Sequence, residues 1–344
     1  LIVVLPLLIN PRMRSKSTLL AALLLSVAPA LASADPHTTA HAPSPPSDPT
    51  ADKRALAETL LTADGTRESE TKALQRLTGL LSAQVVGKLQ ISDPAVVAKV
   101  TQIVHEVTAP AGPRVVDAAA DAYAANFSAK ELAALIAFVR SPIGQAEMAN
   151  QPLLKVELAA VINGSPDSGH VEAAAKQAFA AASLSDRELV ERILAAQDFE
   201  ARTRNDFEAL QAAVNAAFAP VLLAAKKAPS DVEKRAEQAE AGRRTDDYVR
   251  SAVTVEKGFY VKHYSNAQLA ELATYIESEP GRVALNRSPL IKRAVSEVAT
   301  QQMSTAISLL VEPVCAAVAC SSAQRTSVVE WANAMRAASP LRLW

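Results

Sequence analysis

Aromatic side chains are scarce in this chain, 4% of 344 residues, and that weakens any reading as a carbohydrate-binding surface. Few β-branched residues cluster with a period of two, so the strands of an α/β or all-β architecture are not supplied. The nucleotide and nucleophile signatures are missing as well. There is no P-loop, no G-x-G-x-x-G and no G-x-S-x-G. Cysteine is limited to Cys315 and Cys320, whose spacing is not the C-x-x-C of redox proteins. What remains is a chain that is 49% hydrophobic and rich in alanine, with 10 glycines. The expected class is all-α: two tandem helical repeat modules after a signal peptide and a disordered tether.

Two catalytic patterns begin and fail. His105-Glu106 opens like H-E-x-x-H, but position 109 is Ala, so the second zinc ligand is absent. Ser69-Glu70-Thr71-Lys72 spells S-x-x-K with no S-D-N or K-T-G after it, and reads as a solvated helix face. His170 falls in a linker and His263 beside a helix cap, neither with a recognisable carboxylate–nucleophile set. His37 and His41 could hold Cu(II) or Ni(II) loosely. Cleavage after Ala34 would put His37 third in the chain, but Pro36 lacks the amide N–H such a site needs. No catalytic residue, cofactor or metal site is expected.

Met13-Arg14-Ser15-Lys16, followed by the apolar run from Thr18 to Leu31, has the form of a secretory signal. Ala30-Leu31-Ala32 and Ala32-Ser33-Ala34 both satisfy the small-x-small cleavage rule. Residues 1–12 are read as lying upstream of a true start at Met13. The apolar run is short for a membrane span, and no transmembrane segment is expected after cleavage. The localisation expected is periplasmic or secreted. Removing residues 1–34 takes away Arg12, Arg14 and Lys16, leaving 32 basic and 36 acidic residues and a net charge near −4. That balance argues against a nucleic-acid partner.

Residues 35–52, rich in Pro, Ala, Ser and Thr, read as a disordered tether. Residues 164–170 read as a linker and 313–344 as a C-terminal tail carrying the cysteines. In an oxidising compartment that lone pair is most simply a disulfide. Residues i and i+5 of a helix are separated by ~7.5 Å of rise, so pairing requires the chain to leave the helix between Val314 and Ser321, with Pro313 as the expected cause.

The chief positive signal is internal. Ala122 to Leu132 recurs as Phe259 to Leu269, and the offset of 137 then holds without a gap. Leu135 maps to Leu272, Phe138 to Tyr275, Ser141 to Ser278, Gly144 to Gly281, Pro152 to Pro289 and Lys155 to Lys292. Ser128 with Glu131, and Ser265 with Gln268, form capping boxes, each worth ~1 kcal/mol. Phe127 with Leu132, and Tyr264 with Leu269, supply the hydrophobic staple. Leu132, Leu135, Ile136 and Val139 then make one apolar stripe, as do Leu269, Leu272 and Ile276. Ser141-Pro142 and Ser278-Glu279-Pro280 start a second helix. Gly144 and Gly281, just inside it, point to a close backbone approach. Pro152 and Pro289 are expected to start a third helix, with Ser288 as a cap. Upstream, Arg54 through Leu77 aligns weakly with Arg187 through Leu210 at an offset of 133. The modules are thus expected at 53–163 and 171–312.

Tyr123, Phe127, Ser128, Glu131, Leu132, Phe138, Ser141, Pro142, Gly144 and Pro152 resemble the signature of a bacterial family, domain of unknown function 2059 (DUF2059). The second stretch departs from it at Gln268 and Glu279. The resemblance implies a secreted or periplasmic helical domain and brings no catalytic residues with it.

Three functions stay open at this point. The first is a non-enzymatic periplasmic module binding a protein partner or a small apolar ligand, with Tyr123, Lys155, Tyr260 and Lys292 lining equivalent grooves. The second is a hydrolase-type envelope enzyme with a site assembled from distant helices. The third is an envelope scaffold. The sequence does not define an oligomeric state.

Overall fold

The structure is a computed structural model that describes residues 49–162, 167–224 and 231–338. Every regular element among them is a helix. In chain order these are α1 (Pro49–Ala63), α2 (Thr66–Leu89), α3 (Pro94–Thr108), α4 (Ala111–Asn126), α5 (Ala129–Arg140), α6 (Pro142–Ile162) and α7 (Ser168–Ala181). They are followed by α8 (Leu184–Ala196), α9 (Phe199–Ala224), α10 (Asp231–His263), α11 (Asn266–Glu277), α12 (Glu279–Val318) and α13 (Ser322–Ala338). The all-α class holds. Among the described residues, no helix is long and apolar enough to cross a membrane. The signal region and most of the tether lie outside the described residues.

Local chemistry explains the elements that recur. Ser128 accepts from the Glu131 amide at 3.2 Å while the Glu131 carboxylate accepts from the Ser128 amide at 2.7 Å. Ser265 and Gln268 repeat the box at 3.3 and 2.9 Å. The staple residues Phe127, Leu132, Tyr264 and Leu269 are all buried. At the next junction Ser141 Oγ accepts from the Gly144 amide at 3.1 Å, and Ser278 Oγ from Gly281 at 3.3 Å. A methyl group at Gly144 would collide with the Phe138 carbonyl, and one at Gly281 with the Tyr275 carbonyl. Both glycines are there because the preceding helix turns back against their backbone.

Four expectations about boundaries change. Residues 49–52, assigned to the tether, open α1, proline at the first helical position costing no hydrogen bond. The linker at 164–170 is shorter, because α7 begins at Ser168. Pro152, Pro289 and Pro313 start nothing: each lies inside a continuous helix, as does Ser288. A helix interior tolerates proline at a cost of ~3 kcal/mol, opposed here by burial of Leu154, Ile291 and Val314 beside the three prolines. Finally, residues 313–344 are not simply a tail, since α12 runs on to Val318 and α13 follows. Val328, Trp331, Ala332 and Met335 give α13 a buried stripe, and Trp331 Nε1 donates to Gln84 Oε1 on α2 at 3.1 Å.

The cysteines do pair, by a different route from the one Pro313 suggested. Ala319 takes a left-handed conformation, φ 51°, and the Cys320 amide donates to the Cys315 carbonyl at 3.0 Å. This is a Schellman turn. It brings the two Cα atoms to 4.8 Å and allows the disulfide. Ser321 and Gln324 then form a third capping box, at 3.3 and 2.9 Å, for α13.

The described residues form two compact units, one of them built from two segments separated in the chain. The first comprises residues 49–149 and 286–338 of the described chain. Its centre is a cluster of Ala57, Leu61, Val116, Ala119 and Ala120, with Tyr123 and Val295 packed against it. A buried hydrogen bond of 2.8 Å between Thr78 and Thr108 ties α2 to α3. The second unit comprises the described residues between 150 and 285. There Val190 and Ile193 of α8, Phe259 and Tyr260 of α10, and Leu269, Leu272 and Ala273 of α11 are buried. α7 lies so close to α10 that a methyl on Gly258 would overlap the Ala175 backbone. Burial of each such large side chain stabilises by ~1.5–3 kcal/mol.

Candidate functional site

Tyr123 and Tyr260 occupy matching turns of α4 and α10, four residues before the staple aromatic. Their rings lie 5.5 Å from Phe127 and 5.3 Å from Tyr264, centroid to centroid. Tyr260 is 1% exposed and belongs to the core, so it cannot line an open groove. Tyr123 is half-buried, whereas Lys155 and Lys292 are exposed. Tyr123 and Lys155 fall in different compact units, and so do Tyr260 and Lys292. The sequence-derived grooves therefore have no common wall within either unit.

The first unit instead assembles a polar knot around the α5 cap. Arg287 of α12 pairs with Glu131 at 2.9 Å and donates to the Asn126 carbonyl. Its guanidinium lies 5.2 Å over the Phe127 ring, a cation–π arrangement. The Ser128 amide, followed by the Ser128 hydroxyl and Arg287, holds the Glu131 carboxyl below its usual range. In the second unit Lys262 donates to Glu157 of α6 at 3.2 Å. His263 stacks on Phe259 at 4.3 Å, and burial, aided by the Lys262 charge, lowers its pKa. Both arrangements join helices.

The failed motifs have structural roles. Ser69 is buried at 3% exposure, which corrects the reading of its stretch as wholly solvated. Thr71 bonds back to the Arg67 carbonyl at 2.9 Å and Lys72 pairs with Glu68 at 2.6 Å. Glu70, partly buried on the same turn, is pushed up to about 7 by desolvation. His105 and Glu106 are exposed on α3, with Glu106 accepting from Gln102 at 2.8 Å. His170 is exposed on α7. His37 and His41 lie outside the described residues. Among those described, no three His, Cys, Asp or Glu side chains are grouped to hold a metal.

Large apolar side chains stand out on several helices. Leu153 and Val156, one turn apart on α6, are 49% and 69% exposed. Leu290, at the matching position of α12, is 50% exposed. Sequence reasoning passed over them because exposure is invisible in a stripe that is apolar on more than one face.

Fold and surface together define an all-helical protein whose recognisable polar clusters cap and join helices. The family model described as an uncharacterized protein conserved in bacteria (DUF2059) matches residues 113–164. That span holds α5 with its capping box, the Gly144 junction and Pro152, which supports the family resemblance. No curated protein and no solved structure matches the chain.

Proposed function

We propose that this chain is an exported, non-enzymatic helical protein that binds a protein partner or a small apolar ligand in the bacterial periplasm. It is built from two tandem copies of one module, 53–163 and 171–312. The form of residues 13–34 supports export. Helix boundaries support the duplication: α11 starts and ends 137 residues after α5, and α4 and α10 end at the same offset. The ends of α1 and α8, and the starts of α2 and α9, are 133 apart.

The observation that carries the binding reading is the adjacent exposure of Leu153 and Val156 beside the exposed Lys155. Leaving two aliphatic side chains in water one turn apart forgoes burial worth ~1.5–3 kcal/mol for each, and a contiguous apolar surface is the usual mark of a contact site. The test places a photo-crosslinking residue at Val156 in the host cell, with equally exposed Val232 as control. A discrete adduct at 156 that is absent at 232 supports the reading; equal labelling at both sinks it. Fusing residues 13–48 to a phosphatase active only after export tests localisation, and an inactive fusion would refute it.

A further inference from the structure

Two helices leave the repeat that encodes them. α6 starts in the first unit, and from Asn150 its residues belong to the second; α12 starts in the second, and from Asn286 its residues belong to the first. The transitions fall just before Pro152 and Pro289, the prolines that the sequence marked as a restart. The contacts agree. Val295 of α12 packs against the cluster of Ala57, Leu61, Val116, Ala119 and Ala120, all encoded by the first repeat. Arg287 pairs with Glu131 of the first repeat's capping box. In return, Glu157 of α6 meets Lys262 of the second repeat.

We propose that the two repeats reciprocally exchange their third helical segments, making this chain the covalent form of a swapped pair. The face that accepts each segment is then a docking surface for the same segment of a second copy of this chain. The occupant follows from continuity with a contact already made: Val295 packs against the cluster that contains Ala120, and a neighbouring chain supplies an identical residue. Exchange of an identical element between copies needs no new interface.

The pairing is chemically keyed. Glu131 faces Arg287 at 2.9 Å. The positions 137 residues away from these two are Gln268 and Asn150. One unit thus has a charged pair, and the other has neutral amides at both corresponding places. Seating 150–162 on the first repeat would leave Glu131 without its cation, and seating 286–318 on the second would set Arg287 against an uncharged Gln268. Half-satisfied polar pairs are costly in a way that fixes choice among otherwise similar partners.

The proposal rests on the duplication proposed above but not on the binding reading, since its test reads only the chain's own fold. In the full chain, Ala120→Cys with Val295→Cys should oxidise to a crosslink within the monomer, identified by peptide mass with the native bridge intact. Ala120→Cys with Leu158→Cys, the pair expected if each repeat kept its own segment, should not. A surface version, Glu131→Cys with Arg287→Cys against Glu131→Cys with Asn150→Cys, gives the same reading if the buried pair disturbs folding. Crosslinking by the 158 or 150 pairs instead would overturn the exchange. Unfolding a mixture of the Ala120→Cys and Val295→Cys single variants and refolding it at high concentration should yield crosslinked dimers of one of each. Refolding to uncrosslinked monomers alone would overturn the docking surface.

Discussion

At the residue scale, Glu70 is the group whose environment departs most usefully from solution. Its carboxyl is pushed up to about 7 from 4.5 because partial burial on α2 penalises the charge. The folded chain therefore holds this proton where the unfolded chain has lost it. Its contribution is fully present below pH 4.5 and is lost as pH rises through about 7. With residual exposure taken into account, the loss is ~2 kcal/mol. Glu70→Gln should be more stable than the parent at pH 8 by about that amount, and the gap should shrink towards zero at pH 4. Denaturant melts of both proteins across that range check it; a gap that does not change with pH would show that burial does not perturb the carboxyl.

At the element scale, α10 carries two glycines with opposite roles. Gly242 has nothing within 4 Å of a would-be methyl, whereas Gly258 lies against the Ala175 backbone of α7. Gly242→Ala should stabilise by up to ~1 kcal/mol, the helix-propensity difference. Gly258→Ala should destabilise by ~1–3 kcal/mol or more, because α7 and α10 must separate. Opposite shifts in Tm for one substitution in one helix are the expected result. The turn between α12 and α13 belongs to this scale too. Ala319 adopts a left-handed conformation that costs a non-glycine residue ~1–2 kcal/mol, and the Cys315–Cys320 bridge and the Ser321 cap hold the turn from either side. Periodicity could have found α13, since Val328, Trp331, Ala332 and Met335 follow the helical i, i+3, i+4, i+7 spacing.

At the scale of the whole molecule, α6 and α12 each begin in one compact unit and end in the other. Loss of structure in either unit then frays a helix that continues into the other. Thermal unfolding should be a single cooperative transition, with calorimetric and van't Hoff enthalpies equal. Leu132→Ala and Leu269→Ala, each removing a fully buried side chain, should lower that one transition by ~2–5 kcal/mol apiece. Two resolved transitions, each sensitive to only one substitution, would show that the units fold independently.

The sequence by itself determined what depends on near neighbours. The helical class, the capping boxes at Ser128 and Ser265, the staples and the close approach at Gly144 and Gly281 are set by residues within a turn or two of one another. Sequence spacing states those distances directly. The disulfide was legible as a pairing, but its turn was not: left-handed Ala319, rather than Pro313, ends the helix. Only the tertiary structure decided that α6 and α12 run through their prolines, because burial of Leu154, Ile291 and Val314 beside them opposes a local penalty. Tertiary structure also placed Tyr260 in the core, seated α13 on α2, and set Arg287 over Phe127. Those outcomes depend on which surfaces meet across more than a hundred residues, and free energy of burial, rather than local preference, selects among them.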